Sequence, residues 1–305
     1  MTMRLKKRLK QPFVFWVPVL VLAFLMPACR RSEHLERIQV KGSDTEVNLV
    51  LELAEAYMER EPAVSISITG GGSGVGIAAL MNGKTDIANS SREVGETERA
   101  YARRRGVDIY PTVFAADALV IVANPDAGVD SLTISQVADL FSGRVKNWQE
   151  VGGNSVPVSL YGRQSNSGTF LYFRKTVLGR DFSPDLKQMN GTAQIIEAVK
   201  NDAGGIGYVG LGYVARPDGA IHNGLKIIRL KKNETSPAAS PLDTLALQNG
   251  DYPLLRPLYQ LTDGKPTGLV EAFLRFETSP AGQQIIVKNG YLPASKLRLE
   301  ISQNR

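Results

Sequence analysis

Thr69-Gly70-Gly71-Gly72-Ser73-Gly74-Val75-Gly76 closes the alternating run Val64-Ser65-Ile66-Ser67-Ile68 and opens onto Ile77, Ala78, Leu80 and Met81, which fall on one helical face. A period of two that gives way to a period near 3.6 across a glycine-rich turn reads as strand, turn and helix. Such a turn leaves backbone N–H groups pointing out of a helix start, where the helix dipole favours an anion. The device recurs on either side of this turn. Gly42-Ser43-Asp44-Thr45 leads from the short strand Ile38-Gln39-Val40 into an amphipathic stretch, 45–59, with Val47, Val50, Leu51, Ala54, Tyr57 and Met58 on one face. Ser165-Asn166-Ser167-Gly168-Thr169 comes after Val158-Ser159-Leu160-Tyr161 in the same way. Three small, hydroxyl-rich helix starts point to one small oxyanion.

Strand-like and helix-like stretches alternate along the rest of the chain, which predicts an α/β fold with mostly parallel sheets. Asp86-Ile87-Ala88 is a brief strand ending at Asn89-Ser90-Ser91-Arg92. Ala118-Leu119-Val120-Ile121-Val122-Ala123 is apolar throughout, as a strand buried on both faces would be, and Asn124-Pro125 stops it. A crossing between two domains is placed there. Beyond it, helices are expected over 134–141, 168–177 and 193–201, and strands over 156–161, 206–209 and 225–228. A polar connector at 231–241 precedes a strand at 254–261 and helices at 267–276 and 280–288. The expected division is a lobe I of 38–117 plus 253–305 and a lobe II of 118–252.

The N-terminus stands apart. Arg4, Lys6, Lys7, Arg8 and Lys10 precede an apolar run, 13–26, too short for a comfortable membrane span, which is the layout of a secretory signal. The signal is expected over 1–28 and a polar linker over 29–37. Of the formal net charge of +6, five units sit in this signal, so the remainder of the chain is nearly neutral. The high isoelectric point is therefore no argument for a nucleic-acid partner. Cys29 is the single cysteine, so an exported chain has no internal disulfide.

Each candidate residue has an ordinary role beside the functional one. Ser43, Asp44 or Thr45 can cap the helix that begins there, and capping is compatible with anion binding. Glycines around Ser73 and Gly74 are common punctuation, and their spacing fits neither a P-loop nor a dinucleotide fingerprint. Arg92 and Arg163 are residue types usually solvated, yet each stands beside one of the turns, where a guanidinium fork suits a tetrahedral oxyanion. Enzymatic sets are hard to assemble, because His34 and His222 are the only histidines and no Gly-x-Ser-x-Gly elbow occurs. No metal site or cofactor is expected.

Taken in order, Gly42 to Thr45, Thr69 to Gly76, Asp86 to Arg92, the stretch 132–153 with Phe141-Ser142-Gly143 and Asn147-Trp148, Arg163 with Ser167-Gly168-Thr169, and Gly204-Gly205-Ile206-Gly207-Tyr208-Val209 resemble the PstS family, the phosphate-binding proteins of phosphate ABC transporters. The likeness continues over 253–293. It implies a two-lobed periplasmic-binding-protein fold (type II) closing on inorganic phosphate. It also implies that Ser43, Asp44, Thr45, Ser73, Gly74, Ser91, Arg92, Arg163, Ser167, Gly168 and Thr169 surround the ligand. Leu25-Met26-Pro27-Ala28-Cys29 resembles a bacterial lipoprotein signal, which implies lipidation at Cys29. The chain departs from the family in Ser91, where some members carry Asp, and in Ser165, where some carry Asp in the turn Arg-Ser-Asp-Gly-Ser-Gly-Thr; Asp44 is then the nearby carboxylate. The expectation is a monomeric lipoprotein of the periplasm or cell surface, anchored to the membrane by its lipid, that passes phosphate to permease subunits. The alternatives are a receptor for sulfate, molybdate or tungstate, or a phosphatase or phosphate sensor on the same fold.

Overall fold

Parallel pairing begins the fold: β1 (Glu36–Gly42) lies between β2 (Val64–Thr69) and β3 (Ile87–Ser90) and is parallel to both. The helices α1 (Val47–Arg60) and α2 (Ser73–Met81) make the connections. The computed structural model describes residues 35–214 and 223–296. The expected signal, Cys29, most of the linker, both histidines and the end of the chain lie outside the described residues.

After β3 come α3 (Glu96–Arg104) and β4 (Ile109–Ala123), a strand of 15 residues that joins the two halves of the molecule. Its first part pairs antiparallel with β10 (Leu255–Asp263) as far as Ala118 opposite Leu255. From Leu119 onward it pairs with β8 (Gly205–Gly210) and then β9 (Lys226–Lys231). In this second half β5 (Ser131–Thr133) and α4 (Ile134–Phe141) precede β6 (Ser159–Arg163), α5 (Gly168–Phe173), β7 (Lys187–Met189) and α6 (Thr192–Lys200). The chain returns through α7 (Thr244–Gln248) and β10 to α8 (Gly268–Thr278), α9 (Pro280–Lys288) and β11 (Leu292–Pro293). The strand order is β2-β1-β3-β10-β4-β8-β6-β7. Parallel pairs hold the outer strands, as the βαβ alternation predicts, whereas every pair made by β4 or β10 is antiparallel. The two halves thus share strands that run in opposite directions through the middle.

Each half has its own core. Val120 to Ala123 are wholly buried, in keeping with the uninterrupted apolar run. Phe173 stacks on Tyr208 at 4.3 Å between centroids, and Phe141 meets Phe173 edge-on at 4.9 Å. In the other half α1 buries Leu49, Val50, Leu53, Ala54 and Tyr57, with Tyr57 against Phe273 and Phe276. Its buried stripe is therefore turned from the expected one, and Leu51 is exposed. The helix begins at Val47 rather than at Thr45, because 44–46 form a turn closed by the Glu46 N–H donating to Ser43 O at 3.2 Å. Conversely α2 begins at Ser73, directly after the glycines and ahead of Ile77, where the expected apolar face starts. α5 runs only to Phe173 and widens into a π-type turn over Arg174–Leu178.

Candidate functional site

The three glycine- and hydroxyl-rich turns meet. Gly72 has φ of 99°, a conformation only glycine adopts cheaply, and its N–H donates to Gly42 O at 2.8 Å, tying the second turn to the first. Gly74 N–H donates to Asn166 O at 3.0 Å and Asn166 Nδ2 to Gly71 O at 3.2 Å, tying the second turn to the third across the two halves. Ser167 caps α5, its Oγ accepting from Thr169 N at 3.2 Å. A Cβ on Gly168 would stand 2.2 Å from Ser73 Oγ and 2.7 Å from Ser91 Oγ, so only glycine lets the start of α5 approach this closely.

Around that contact the hydroxyls cluster. Thr45 Oγ1 and Thr169 Oγ1 share a hydrogen bond of 3.0 Å, and Ser73 Oγ accepts from Ser91 N at 3.1 Å. Thr45, Ser73, Ser91, Ser167 and Thr169 are all buried. The backbone N–H groups of Thr45, in the turn ahead of α1, and of Ser73 and Gly168, the first residues of α2 and α5, have no acceptor among the described residues. Buried amides without an acceptor are rare.

Arg163, almost fully buried at the end of β6, provides charge beside these donors. Its Nη2 donates to Asp44 Oδ2 and to Asn190 O at 2.9 Å, its Nη1 to Thr192 Oγ1 at 3.2 Å, and its buried Nε has no partner among the described residues. Asp44 is held in turn by Gly71 N, which donates to Oδ1 at 3.0 Å, and its carbonyl accepts from the Tyr213 hydroxyl. Burial, then the Asp44 charge, pushes that phenol up to about 12, so it remains a donor.

Arg256 was not among the expected residues. It is wholly buried, forms an ion pair with buried Asp117 at 2.8 Å, and donates to Thr169 Oγ1 at 3.1 Å and Thr45 Oγ1 at 3.3 Å. Burial raises the Asp117 carboxyl, against the charge and hydrogen bonds of Arg256 and the N–H of Leu211. The available signal was a single charge in each of two apolar strands, Ala115-Ala116-Asp117-Ala118-Leu119 and Pro253-Leu254-Leu255-Arg256-Pro257-Leu258, a pattern that calls for a buried partner. Behind Thr45, Glu46 is also fully buried and neither carboxylate oxygen makes a well-formed hydrogen bond. Burial pushes it well up, the Ser43 hydroxyl and Arg256 opposing and Asp117 and Glu277 reinforcing.

Of the expected residues, Asp44, Thr45, Ser73, Gly74, Ser91, Arg163, Ser167, Gly168 and Thr169 are joined by these contacts, and Ser43 is buried next to them with its N–H on Asn89 O at 2.9 Å. Arg92 departs from the expectation. Its Nη1 and Nη2 donate to Glu98 Oε2 and Oε1 at 2.7 and 2.8 Å, because α3 presents that carboxylate to the residue next to Ser91. Burial raises Glu98, but the Arg92 and Gly95 hydrogen bonds and the Arg92 charge together hold it below its ordinary value. No group of His, Cys, Asp and Glu among the described residues is arranged to hold a metal.

The profile of the PBP superfamily domain matches residues 30–281. The phosphate-binding protein PstS of Pseudomonas aeruginosa is 34% identical over 270 residues, 83% of this chain and 81% of that protein. PstS of Bacillus subtilis is 29% identical over 271 residues, 88% of this chain and 84% of its own. Among solved structures, a putative phosphate ABC transporter substrate-binding protein from Clostridium perfringens, with bound phosphate, superposes with a TM-score of 0.73 at 26% identity, covering 85% of this chain and 99% of that one.

Proposed function

The chain belongs to the PBP superfamily and, within it, to the PstS phosphate-binding proteins, and on that premise we propose that it captures inorganic phosphate between its two lobes for an ABC transporter. It is a receptor and performs no chemistry on the anion. The observation that carries the reading is the meeting of the three turns with three buried N–H groups, at Thr45, Ser73 and Gly168, that have no acceptor among the described residues, beside the buried Arg163. Amides and hydroxyls replace the water around the anion, Arg163 offsets its charge, and their fixed directions need no reorganisation on binding. In this reading the binding set is Ser43, Asp44, Thr45, Ser73, Gly74, Ser91, Arg163, Ser167, Gly168 and Thr169, with Arg92 assigned to Glu98. The lobes divide at 117/118 and 252/253, beside the point where β4 exchanges β10 for β8. Closure about that point brings the turns together.

Delivery to permease subunits, action as a monomer, and residence in the periplasm or at the cell surface on a lipid at Cys29 complete the proposal. The lipoprotein-like residues before Cys29 support the anchor; fatty-acid labelling that survives Cys29→Ser would contradict it. One observation favours a second reading, a receptor for a fully deprotonated oxyanion such as sulfate, molybdate or tungstate. The Asp44 carboxylate is already engaged by Arg163 and Gly71, and Ser91 stands where some relatives have an acid. Calorimetric titration with phosphate, sulfate and molybdate at neutral pH decides between them. Phosphate is expected to bind far more tightly, and equal binding of sulfate would contradict the phosphate reading.

A further inference from the structure

Where β4 and β10 run side by side through the middle of the molecule, Arg256 stands directly opposite Asp117, one register pair before Ala118 and Leu255. Both side chains are wholly inaccessible to solvent. Arg256 Nε and Nη2 donate to Asp117 Oδ2 at 3.1 and 2.8 Å, and Asp117 Oδ1 accepts from Leu211 N at 3.2 Å. The remaining hydrogen-bonding capacity of the guanidinium is directed at the site. Nη1 reaches Thr169 Oγ1 at 3.1 Å and Ser91 O at 3.4 Å, and Nη2 reaches Thr45 Oγ1 at 3.3 Å. The Tyr172 ring lies 5.3 Å from the guanidinium carbon, and its hydroxyl donates to Leu255 O at 3.3 Å. One side chain therefore touches the turn before α1, the end of β3, the middle of β4 and the first residues of α5.

Hydrogen-bond accounting at the two threonines gives this contact a consequence. A hydroxyl has one proton and two lone pairs. Thr45 and Thr169 each accept from Arg256, and they share one bond of 3.0 Å with each other. Whichever of them donates in the shared bond, the other has both lone pairs occupied and its proton left over. That oxygen can only donate outward. A cation behind it polarises the O–H further, in surroundings of low dielectric.

We propose that Arg256 is the second cationic group of the anion site, a positioning residue that acts through Thr45 and Thr169. It fixes their hydroxyl pair as a donor, adds buried positive charge behind it, and completes the arrangement only when the starts of α1 and α5 are together. Asp117 keeps that charge compensated while no anion is bound. The proposal rests on the phosphate reading above. The competing possibility is that the ion pair merely holds two strands in register.

Four proteins separate the two roles: the parent, Arg256→Gln, Asp117→Asn, and the double variant Asp117→Asn/Arg256→Gln. Each is titrated calorimetrically with inorganic phosphate and unfolded thermally without it. Arg256→Gln leaves a buried carboxylate unpaired and is expected to lose both stability and affinity. The double variant replaces the ion pair by a neutral amide pair of similar shape. A register-holding role predicts that it recovers both stability and affinity. Our proposal predicts that it recovers the unfolding midpoint but binds phosphate at least about tenfold more weakly than the parent, as loss of one charge-assisted contact implies. It also predicts that Asp117→Asn, whose guanidinium no longer faces a carboxylate, binds phosphate at least as tightly as the parent. Parental affinity in the double variant overturns the proposal, and so does Asp117→Asn losing as much affinity as the double variant. Should the double variant not fold, Asp117→Asn decides alone: affinity at or above the parent's supports the proposal, and a loss of about tenfold or more overturns it. A parent that does not bind phosphate removes the phosphate reading and this proposal together, whereas a binding parent with an equally tight double variant removes this proposal alone.

Discussion

Two arginine–carboxylate pairs flank the hydroxyl cluster, and they are built differently. Asp44 lies in the first of the glycine- and hydroxyl-rich turns and Arg163 at the end of β6, just ahead of the third, with the Asp44 side chain 18% exposed and Arg163 nearly sealed. Arg256 and Asp117 come from adjacent strands and are wholly sealed. The first pair joins a turn of one half to a strand end of the other, so its charge is available where the lobes meet. The second is made by the shared strands themselves and reaches the site through intervening hydroxyls. One pair therefore belongs to capture, and the other to the frame on which capture is assembled.

Removing the cation of the first pair, Arg163, should do the most damage. Arg163→Ala deletes a buried, charge-assisted contact worth about 1.5–3 kcal/mol, a loss of roughly 10- to 150-fold in phosphate affinity. Arg103→Ala, on the exposed face of α3, is the control and should change nothing measurable. Equal affinities for the two variants in a phosphate titration would remove Arg163 from the site.

Asp44→Asn probes the same pair from its other partner. The amide can still accept from Gly71 N, but it no longer competes for Arg163 or repels an unprotonated oxyanion. Sulfate is then expected to gain on phosphate by a few-fold, about 1 kcal/mol or less for a partly exposed charge. A preference ratio unchanged between parent and variant across pH 5 to 8 would reduce Asp44 to a turn-forming residue.

Behind the second pair, Glu46 supplies a prediction about stability rather than affinity. Burial raises its carboxyl in the fold well above the ordinary value, whereas in the unfolded chain it ionises at the usual carboxylate pKa of about 4.3. Between those two values the folded state holds the extra proton, so Glu46 lowers stability as pH rises, by about 1.4 kcal/mol per unit. Glu46→Gln should therefore gain on the parent in denaturant unfolding from about pH 4.3 upward and match it more closely below. A constant difference across pH would show that Glu46 is ionised in the fold.

Arg92 should matter least. Because its fork is given to Glu98, Arg92→Ala should cost about 1 kcal/mol or less of stability and leave phosphate affinity within about twofold. A loss of affinity rivalling that of Arg163→Ala would return Arg92 to the ligand.

Legibility in the sequence divides along the same line. The turns at Gly42, Gly70 and Ser165 announce themselves locally, because glycine and hydroxyl residues stand at each change of period, and their recurrence marks more than ordinary helix caps. Arg163 is found by standing next to one of them. α3 is hidden by its polarity, with Ala102 its one buried residue, and the length of β4 by Pro111, Thr112 and Asp117, which interrupt its apolar run. Arg256 and Asp117 lie 139 positions apart, and only the register of β4 against β10 puts them face to face. Periodicity puts Leu51 on the stripe of α1, but it cannot tell which edge of an apolar face meets Phe273 and Phe276, and Leu51 lies outside.

If the anion is held by the three helix starts, their amides must respond to it. Amide proton shifts followed during a phosphate titration of the nitrogen-15-labelled protein read this out residue by residue. Large downfield shifts and slowed exchange are expected at Thr45, Ser73 and Gly168, buried amides of the three turns that have no acceptor among the described residues. Saturable phosphate binding that leaves those three signals in place and moves amides elsewhere would contradict it.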